Sequence, residues 1–351
     1  MWHVDGCIIH SNYGARKTFH QYRKYGRERR GGEINSHVLF DQIISLKNIF
    51  CAWREFQKDK RNRVDVREFE ADAEKGIFKL HDELEKGIYK HGSYNAFRVR
   101  DPKLRLIHKA SVRDRLLHHA IFRALYPIFN KSWIFDSFAS RESKGTHSSL
   151  KRFRNFAWKI SQNNTRPVWV LKLDVRKYFD SIDHSILERH LTDVFNDDFR
   201  LLDLLHDNIV SYSTEQGKGI PLGNLTSQLF ANIYLNPLDQ YVKRRLGVPY
   251  YIRYADDIVV LSESRECLLE LLSKISHFLG HELRLTIHPK KVSICCWSKG
   301  IDVLGFISYP SKTIIRPSTE RRMFKCLYNQ ITETDFDIQL AALYSRVKFE
   351  R

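Results

Sequence analysis

Residues 250–262 read YYIRYADDIVVLS, with two adjacent acids, Asp256 and Asp257, set in a run of Tyr, Ile and Val. The apolar stretches on either side predict a hairpin that carries the acids at its turn. Adjacent like charges repel, and a buried carboxylate costs several kcal/mol unless it is paired. The pair therefore needs either open solvent or a cation that takes both carboxylates. A second strand ends on an acid upstream, in VWVLKLDVRKYFDSID, where Asp174 closes an apolar, β-branched run. On its own Asp174 reads as a solvated strand-end acid. Two adjacent strands would bring it to Asp256 and Asp257. Phosphoryl transfer from a nucleoside triphosphate calls for such a set, because two hard cations must bridge the attacking oxygen, the α-phosphate and the leaving pyrophosphate. Mg²⁺ prefers oxygen ligands and a few carboxylates, with substrate oxygens completing its shell.

Composition narrows the partner. The 351 residues hold 58 Lys+Arg against 41 Asp+Glu, a net charge of +17, while 42% are hydrophobic and 13% aromatic. A chain this apolar folds, and a folded chain this basic meets a polyanion, with nucleic acid ahead of an anionic membrane surface. No stretch approaches the ~18 apolar residues of a membrane-spanning helix, and the start, MWHVDGCIIHSNYGARK, lacks the apolar core of a signal peptide. The six cysteines are scattered, in neither a disulfide framework nor a zinc spacing. A reducing, cytoplasmic setting is expected.

Residues 1–36 form a basic, aromatic extension without a helical period, expected to order on RNA or to remain a solvated arm. LFDQIISLKNIFCAWREF places Leu39, Ile43, Ile44, Leu46, Ile49 and Phe50 on one helical stripe, and VREFEADAEKGIFKLHDELEKGIY predicts a second amphipathic helix. NAFRVRDPKLRLIHKAS alternates like a strand pair turning near Asp101-Pro102. VRDRLLHHAIFRALYPIF predicts a helix as far as Pro127; His118-His119 within it reads as a helix-face coincidence. Beyond the Asp174 strand, HSILERHLTDVF and FRLLDLLHDNIV predict helices. NLTSQLFANIYLNPLDQYVKRRL predicts a long helix bent or broken at Pro237, and RECLLELLSKISHFLGHEL another helix. KKVSICCW and VLGFISY predict short strands. The pattern is α+β, with helices packing one face of a small antiparallel sheet.

YADD in an apolar hairpin, after LDVRKYFDSID and GIPLGNLTSQLFANIYLNPLD, resembles the palm of a reverse transcriptase. RLIHKASVRDRLLHHAI and FASRESKGTHSSL resemble the fingers blocks of the bacterial members; LTIHPKKVSI and DVLGFISY resemble the two blocks after the catalytic hairpin. The blocks follow the family's order over roughly residues 37–310. The resemblance implies a right-hand polymerase fold with helical fingers over 37–165 and a palm with a small antiparallel sheet over 166–300. A primer-grip hairpin and short helical thumb would take 301–351. It implies RNA-directed DNA synthesis with two Mg²⁺ ions, Mn²⁺ being the alternative. Asp174, Asp256 and the carbonyl of Val175 match the metal ligands, and Asp257 the third acid beside them. Phe179 matches the aromatic ring that excludes a 2′-hydroxyl, with a buried core Phe as the plainer reading. Lys103 and Arg105 match residues that grip the triphosphate, and Arg141 an Arg near the templating pocket. Lys291 matches a general acid for the leaving pyrophosphate, with Lys290 as its rival. Leu304 and Gly305 match the primer grip.

Gly219, Pro221 and Gly223 shape a turn where backbone approaches template and incoming base. Most reverse transcriptases carry Gln after that Pro; here it is Leu222. With Ser227 and Gln228 opening the next helix, this resembles the reverse transcriptases of diversity-generating retroelements, which copy a template RNA with frequent errors opposite adenine. The implied partners are template RNA and its RNA/cDNA hybrid, dNTPs, and a small basic oligomeric accessory protein, in a bacterial cytoplasm from a host or phage gene. About forty residues follow VLGF, so no RNase H or endonuclease domain is expected. The alternative is a retron or phage-defence reverse transcriptase of normal fidelity. A group II intron maturase, grouped with that alternative, would be expected to carry a maturase or DNA-binding extension after the thumb. A catalytically dead RNA-binding scaffold has no use for three clustered acids, and a generic RNA-binding protein leaves the ordered motifs unexplained.

Overall fold

The computed structural model describes residues 36–100, 103–195 and 198–328. The basic extension through residue 35, the Asp101-Pro102 turn and the expected thumb beyond residue 328 lie outside the described residues. Helices α1 (Ser36–Ile44), α2 (Leu46–Phe56), α3 (Val64–Glu70) and α4 (Ala73–Glu85) open the chain, followed by the ribbon β1 (Asn95–Arg100) and β2 (Leu104–Lys109). Next come α5 (Val112–Asn130), α6 (Thr146–Ile160), β3 (Trp169–Asp174), α7 (His184–Phe195), α8 (Phe199–Val210) and α9 (Leu225–Gln240). The hairpin β4 (Tyr251–Tyr254) and β5 (Asp257–Ser262) precedes α10 (Arg265–His281) and β6 (Ser293–Cys296). The small sheet β7 (Ile301–Val303), β8 (Phe306–Ser308) and β9 (Thr313–Ile315) leads into α11 (Pro317–Tyr328).

Several boundaries differ from the periodicity reading, each for a local reason. The first stripe breaks at Ser45, whose hydroxyl accepts from the Asn48 N–H and caps α2. The second breaks between Glu70 and Ala73. Helix α5 runs through Pro127 to Asn130; so close to the C-terminus the ring costs only one hydrogen bond. Pro237 likewise stays inside α9, and the chain then loosens into a π-helical turn, Tyr241–Arg245. VLGFISY is a hairpin: Leu304 and Gly305, at φ 51° and 91°, form the two-residue turn between β7 and β8.

The palm sheet is antiparallel throughout, in the order β4-β5-β3-β6. Helices cover both of its faces, not one. Val170, Val259 and Leu261 pack with Phe153 and Phe156 of α6, while Leu171, Leu173, Ile258 and Val260 pack with Tyr234 and Leu238 of α9 and Ile275 of α10. The nearly unbroken apolar runs of β3 and β5 follow from that double burial. A separate helical core forms around α5, with Leu116, Leu117, Ile121 and Leu125 fully buried. Each fully buried aliphatic chain contributes about 1.5–3 kcal/mol.

Candidate active site

The register of β3 on β5 places Asp174 directly opposite Asp257. Tyr254 pairs Asp257 on the other side, so Ala255 and Asp256 make a two-residue turn. Only Ala255 has positive φ there, 52°, a conformation usually left to Gly. Burial and the neighbouring Asp174 and Asp257 carboxylates push Asp256 up to about 7. Asp257 is raised too, by burial first, with Lys172 opposing. Lys172 is itself anchored by the Asp302 carbonyl.

Among the described residues, no three His, Cys, Asp or Glu side chains form a ready metal-binding group. Asp174, Asp256 and Asp257 do lie together at the end of the sheet, and Lys291 Nζ donates to Asp174 Oδ2 at 2.5 Å. The site nonetheless fits a hard divalent cation. Its donors are all oxygens, and Asp256, raised by burial first and by the Asp174 and Asp257 charges next, is a carboxylate that a bound cation would favour in its charged form. Val175 is buried and bridges Ile287 beside the acids, while the Asp174 carbonyl accepts from the His288 N–H. That second contact brings in the turn Pro289–Lys291, from which Lys291 reaches Asp174, with Lys290 beside it on the same turn.

The GIPLGN loop docks on the ribbon. Leu222 is half-buried and its carbonyl accepts from the His108 N–H, and Asn224 Nδ2 donates to the His108 carbonyl. Gly223 sits at φ 118°, where a Cβ would meet Ile107 Cγ2 at 2.8 Å. Arg105 shares the ribbon face of Ile107 by the period of two, and is exposed, as is Lys103. Phe179 is half-buried against the helical core, and its carbonyl accepts from Ile220, so it adjoins the same loop. Gly219, at φ 89°, accepts from His184 Nε2. Ser227 is buried and Gln228 half-buried in the first turns of α9.

Arg141 is held by its own segment. Its guanidinium donates to the Ile134 and Ser137 carbonyls and to Asn130 Oδ1, and it lies over the Trp133 ring. Through these contacts it braces the 130–141 segment. Leu304 lines a small cavity with Asp257, Lys172, Tyr254 and Ser149, which puts the β7–β8 turn against the catalytic hairpin.

Two groups at the site escaped the sequence reading. Arg253 and Asp239 form an ion pair with no exposed side-chain surface, beneath the Ala255-Asp256 turn. The available signal was Arg253 itself, a lone cation in an apolar strand, which demands a buried partner as surely as the acids do.

Residues 89–308 match the family model described as reverse transcriptase (RNA-dependent DNA polymerase). The chain is 25% identical over 268 residues to Protein YkfC of Escherichia coli, covering 64% of this chain and 69% of that protein. It is 21% identical over 295 residues to a COX1/OXI3 intron 2 protein of Saccharomyces cerevisiae, covering 65% of this chain but only 33% of that one. Among solved structures it is similar to apo telomerase from Candida tropicalis without its C-terminal domain, at TM-score 0.48 and 14% identity over 64% of this chain and 54% of the other. With the acids paired across β3 and β5 and the family model spanning the ribbon, the palm and the hairpin that follows, the chain belongs to the reverse transcriptase family of RNA-dependent DNA polymerases.

Proposed function

We propose that the protein makes cDNA from a retroelement template RNA and does so with frequent errors at template adenines, as a diversity-generating retroelement polymerase. The observation that carries this reading is Leu222, an apolar side chain in the loop that lies between the ribbon and Phe179. A polar residue there could hydrogen-bond around the nascent base pair, and losing one such bond relaxes discrimination by about 1–3 kcal/mol.

Asp174, Asp256 and the Val175 carbonyl would hold Mg²⁺, with Asp257 alongside. When bound, the ions supply the charge that activates the primer 3′-oxygen and steadies the leaving pyrophosphate. In this reading the chain's own residues take the following parts. Lys291 holds Asp174 and is the proton donor nearest the acids for the departing pyrophosphate. Arg105 and Lys103, on the ribbon above the Gly223 loop, take the triphosphate. Phe179 closes the space beneath the sugar, where a 2′-hydroxyl would clash. Leu304 and Gly305 turn the primer end toward the acids.

The test is extension of a DNA primer on RNA with Mg²⁺ and the four dNTPs, with products sequenced by template base. The wild-type chain is expected to extend with errors concentrated at adenines, and Asp256→Asn to be inactive. Leu222→Gln should lower adenine errors about tenfold, the equivalent of ~1.4 kcal/mol. Equal error at all four template bases sinks the mutagenic reading and leaves an ordinary retron or defence polymerase.

A further inference from the structure

A charged pair removed from water is an expensive way to fill space. Arg253 on β4 and Asp239 on α9 are both fully buried, and apolar side chains of the same volume would pack there at no loss of stability. What apolar side chains cannot do is donate hydrogen bonds in several fixed directions. Arg253 uses all of its nitrogens. Nε donates to Asp239 Oδ1 at 2.8 Å, and Nη2 to Oδ2 at 2.7 Å. Nη1 donates to Asn232 Oδ1 at 3.2 Å and to the Ala255 carbonyl at 3.1 Å. Tyr251 adds its hydroxyl to Asp239 Oδ1 at 2.7 Å, fixing the carboxylate from a second side.

The Ala255 contact is the informative one. Ala255 is the left-handed residue of the turn, at φ 52°, a conformation that costs a non-Gly residue energy and persists only when neighbours hold it. Its carbonyl belongs to the peptide that leads into Asp256. We infer that Arg253 is a positioning residue of this site: locked by Asp239, it pins the Ala255 carbonyl and so fixes where the Asp256 carboxylate points. The same guanidinium reaches Asn232, whose Nδ2 donates to the Ala139 carbonyl at 3.0 Å. The Arg253 backbone is itself clamped, its N–H to the Asp136 carbonyl and its carbonyl to the Phe138 N–H. The catalytic turn is thereby tied to the 136–141 segment that Arg141 braces. The inference rests on the metal-dependent polymerase reading above, which it deepens.

The test uses the full chain and two variants. In Arg253→Lys the charge stays beside Asp239, but one ammonium cannot also reach Ala255 and Asn232. In Arg253→Met with Asp239→Leu, the volume stays and the directed bonds go. Each is compared with wild type per folded molecule, with the melting temperature recorded, in two assays: Mn²⁺ binding to the protein alone by electron paramagnetic resonance, and single-turnover dNTP addition. Both variants are expected to bind Mn²⁺ more weakly and to add nucleotide roughly tenfold or more slowly, as misplaced reacting groups do. Half-saturation by dNTP should change by less than about twofold, because the triphosphate grip lies on the ribbon. Wild-type rate and wild-type Mn²⁺ affinity in the folded fraction of either variant overturn the inference and leave the pair a purely structural one. Should the wild-type chain bind Mn²⁺ yet extend no primer, the polymerase reading fails, and the Mn²⁺ comparison still decides the role of Arg253.

Discussion

Asp256 sits at the second position of a tight turn with Asp174 and Asp257 as neighbours, and its carboxyl is pushed up to about 7 by burial first and those charges second. An acid with a raised folded pKa binds its proton more tightly folded than unfolded. Stability therefore falls as pH climbs from about 4 to about 7 and is flat, at its lower value, above that. Asp256 keeps part of its surface in solvent, and water screens some of the cost. We expect Asp256→Asn, which removes the charge and keeps the shape, to stabilise the metal-free protein at pH 8 by about 2 kcal/mol. Melting curves should show this advantage constant above about pH 7 and shrinking from there down to about pH 5. An advantage that grows as pH falls contradicts the assignment. The same substitution is expected to remove the activity, so the stability gain and the functional loss would come from one carboxylate.

Two elements touch at Gly223, the docking loop and the ribbon β1–β2, and their fit allows no Cβ: it would stand 2.8 Å from Ile107 Cγ2 on a backbone at φ 118°. Gly223→Ala should therefore lift the loop from the ribbon, costing about 1–3 kcal/mol. It should raise the dNTP half-saturation while leaving RNA binding unchanged, a split that filter binding and single-turnover kinetics can read. At this scale the sequence was legible wherever a period was long and uniform. The alternation of the ribbon and the apolar runs of β3 and β5 were sufficient to place the acids. Where one side chain overrides the period, it was not. Ser45 breaks a continuous apolar stripe because its hydroxyl satisfies an N–H locally, and Leu304 adopts a left-handed backbone that no pattern of hydrophobicity announces. Long-range partners were harder still: Lys291 meets Asp174 across 117 positions of chain, and Asp239 meets Arg253 between different elements.

Over the whole molecule, the excess of positive charge is not spread evenly over the acids' partners. Three buried or half-buried acids away from the site are already answered internally: Asp239 by Arg253, Asp136 by Arg152 and Lys243, and Asp65 by Lys109 and Arg115. The ribbon, by contrast, exposes Arg98, Arg100, Lys103 and Arg105. Its register puts Arg98 and Arg100 on the face opposite Arg105. One face thus looks to the docking loop, and the other presents two guanidinium groups beside the exposed Leu104 and Leu106. Each phosphate that such a group meets releases counterions, and log K falls with log salt by about 0.7–0.9 per contact. A net charge of +17 engaging some 6–10 phosphates should cost roughly 10³-fold or more in RNA affinity between 50 and 200 mM salt. Arg98→Ala with Arg100→Ala should flatten that slope by about 1.4–1.8 if both outward groups meet phosphate. The rate on saturating template should stay unchanged, because neither residue faces the acids. A slope equal to wild type would mean that the strand passes only along the inner face, where Arg105 stands.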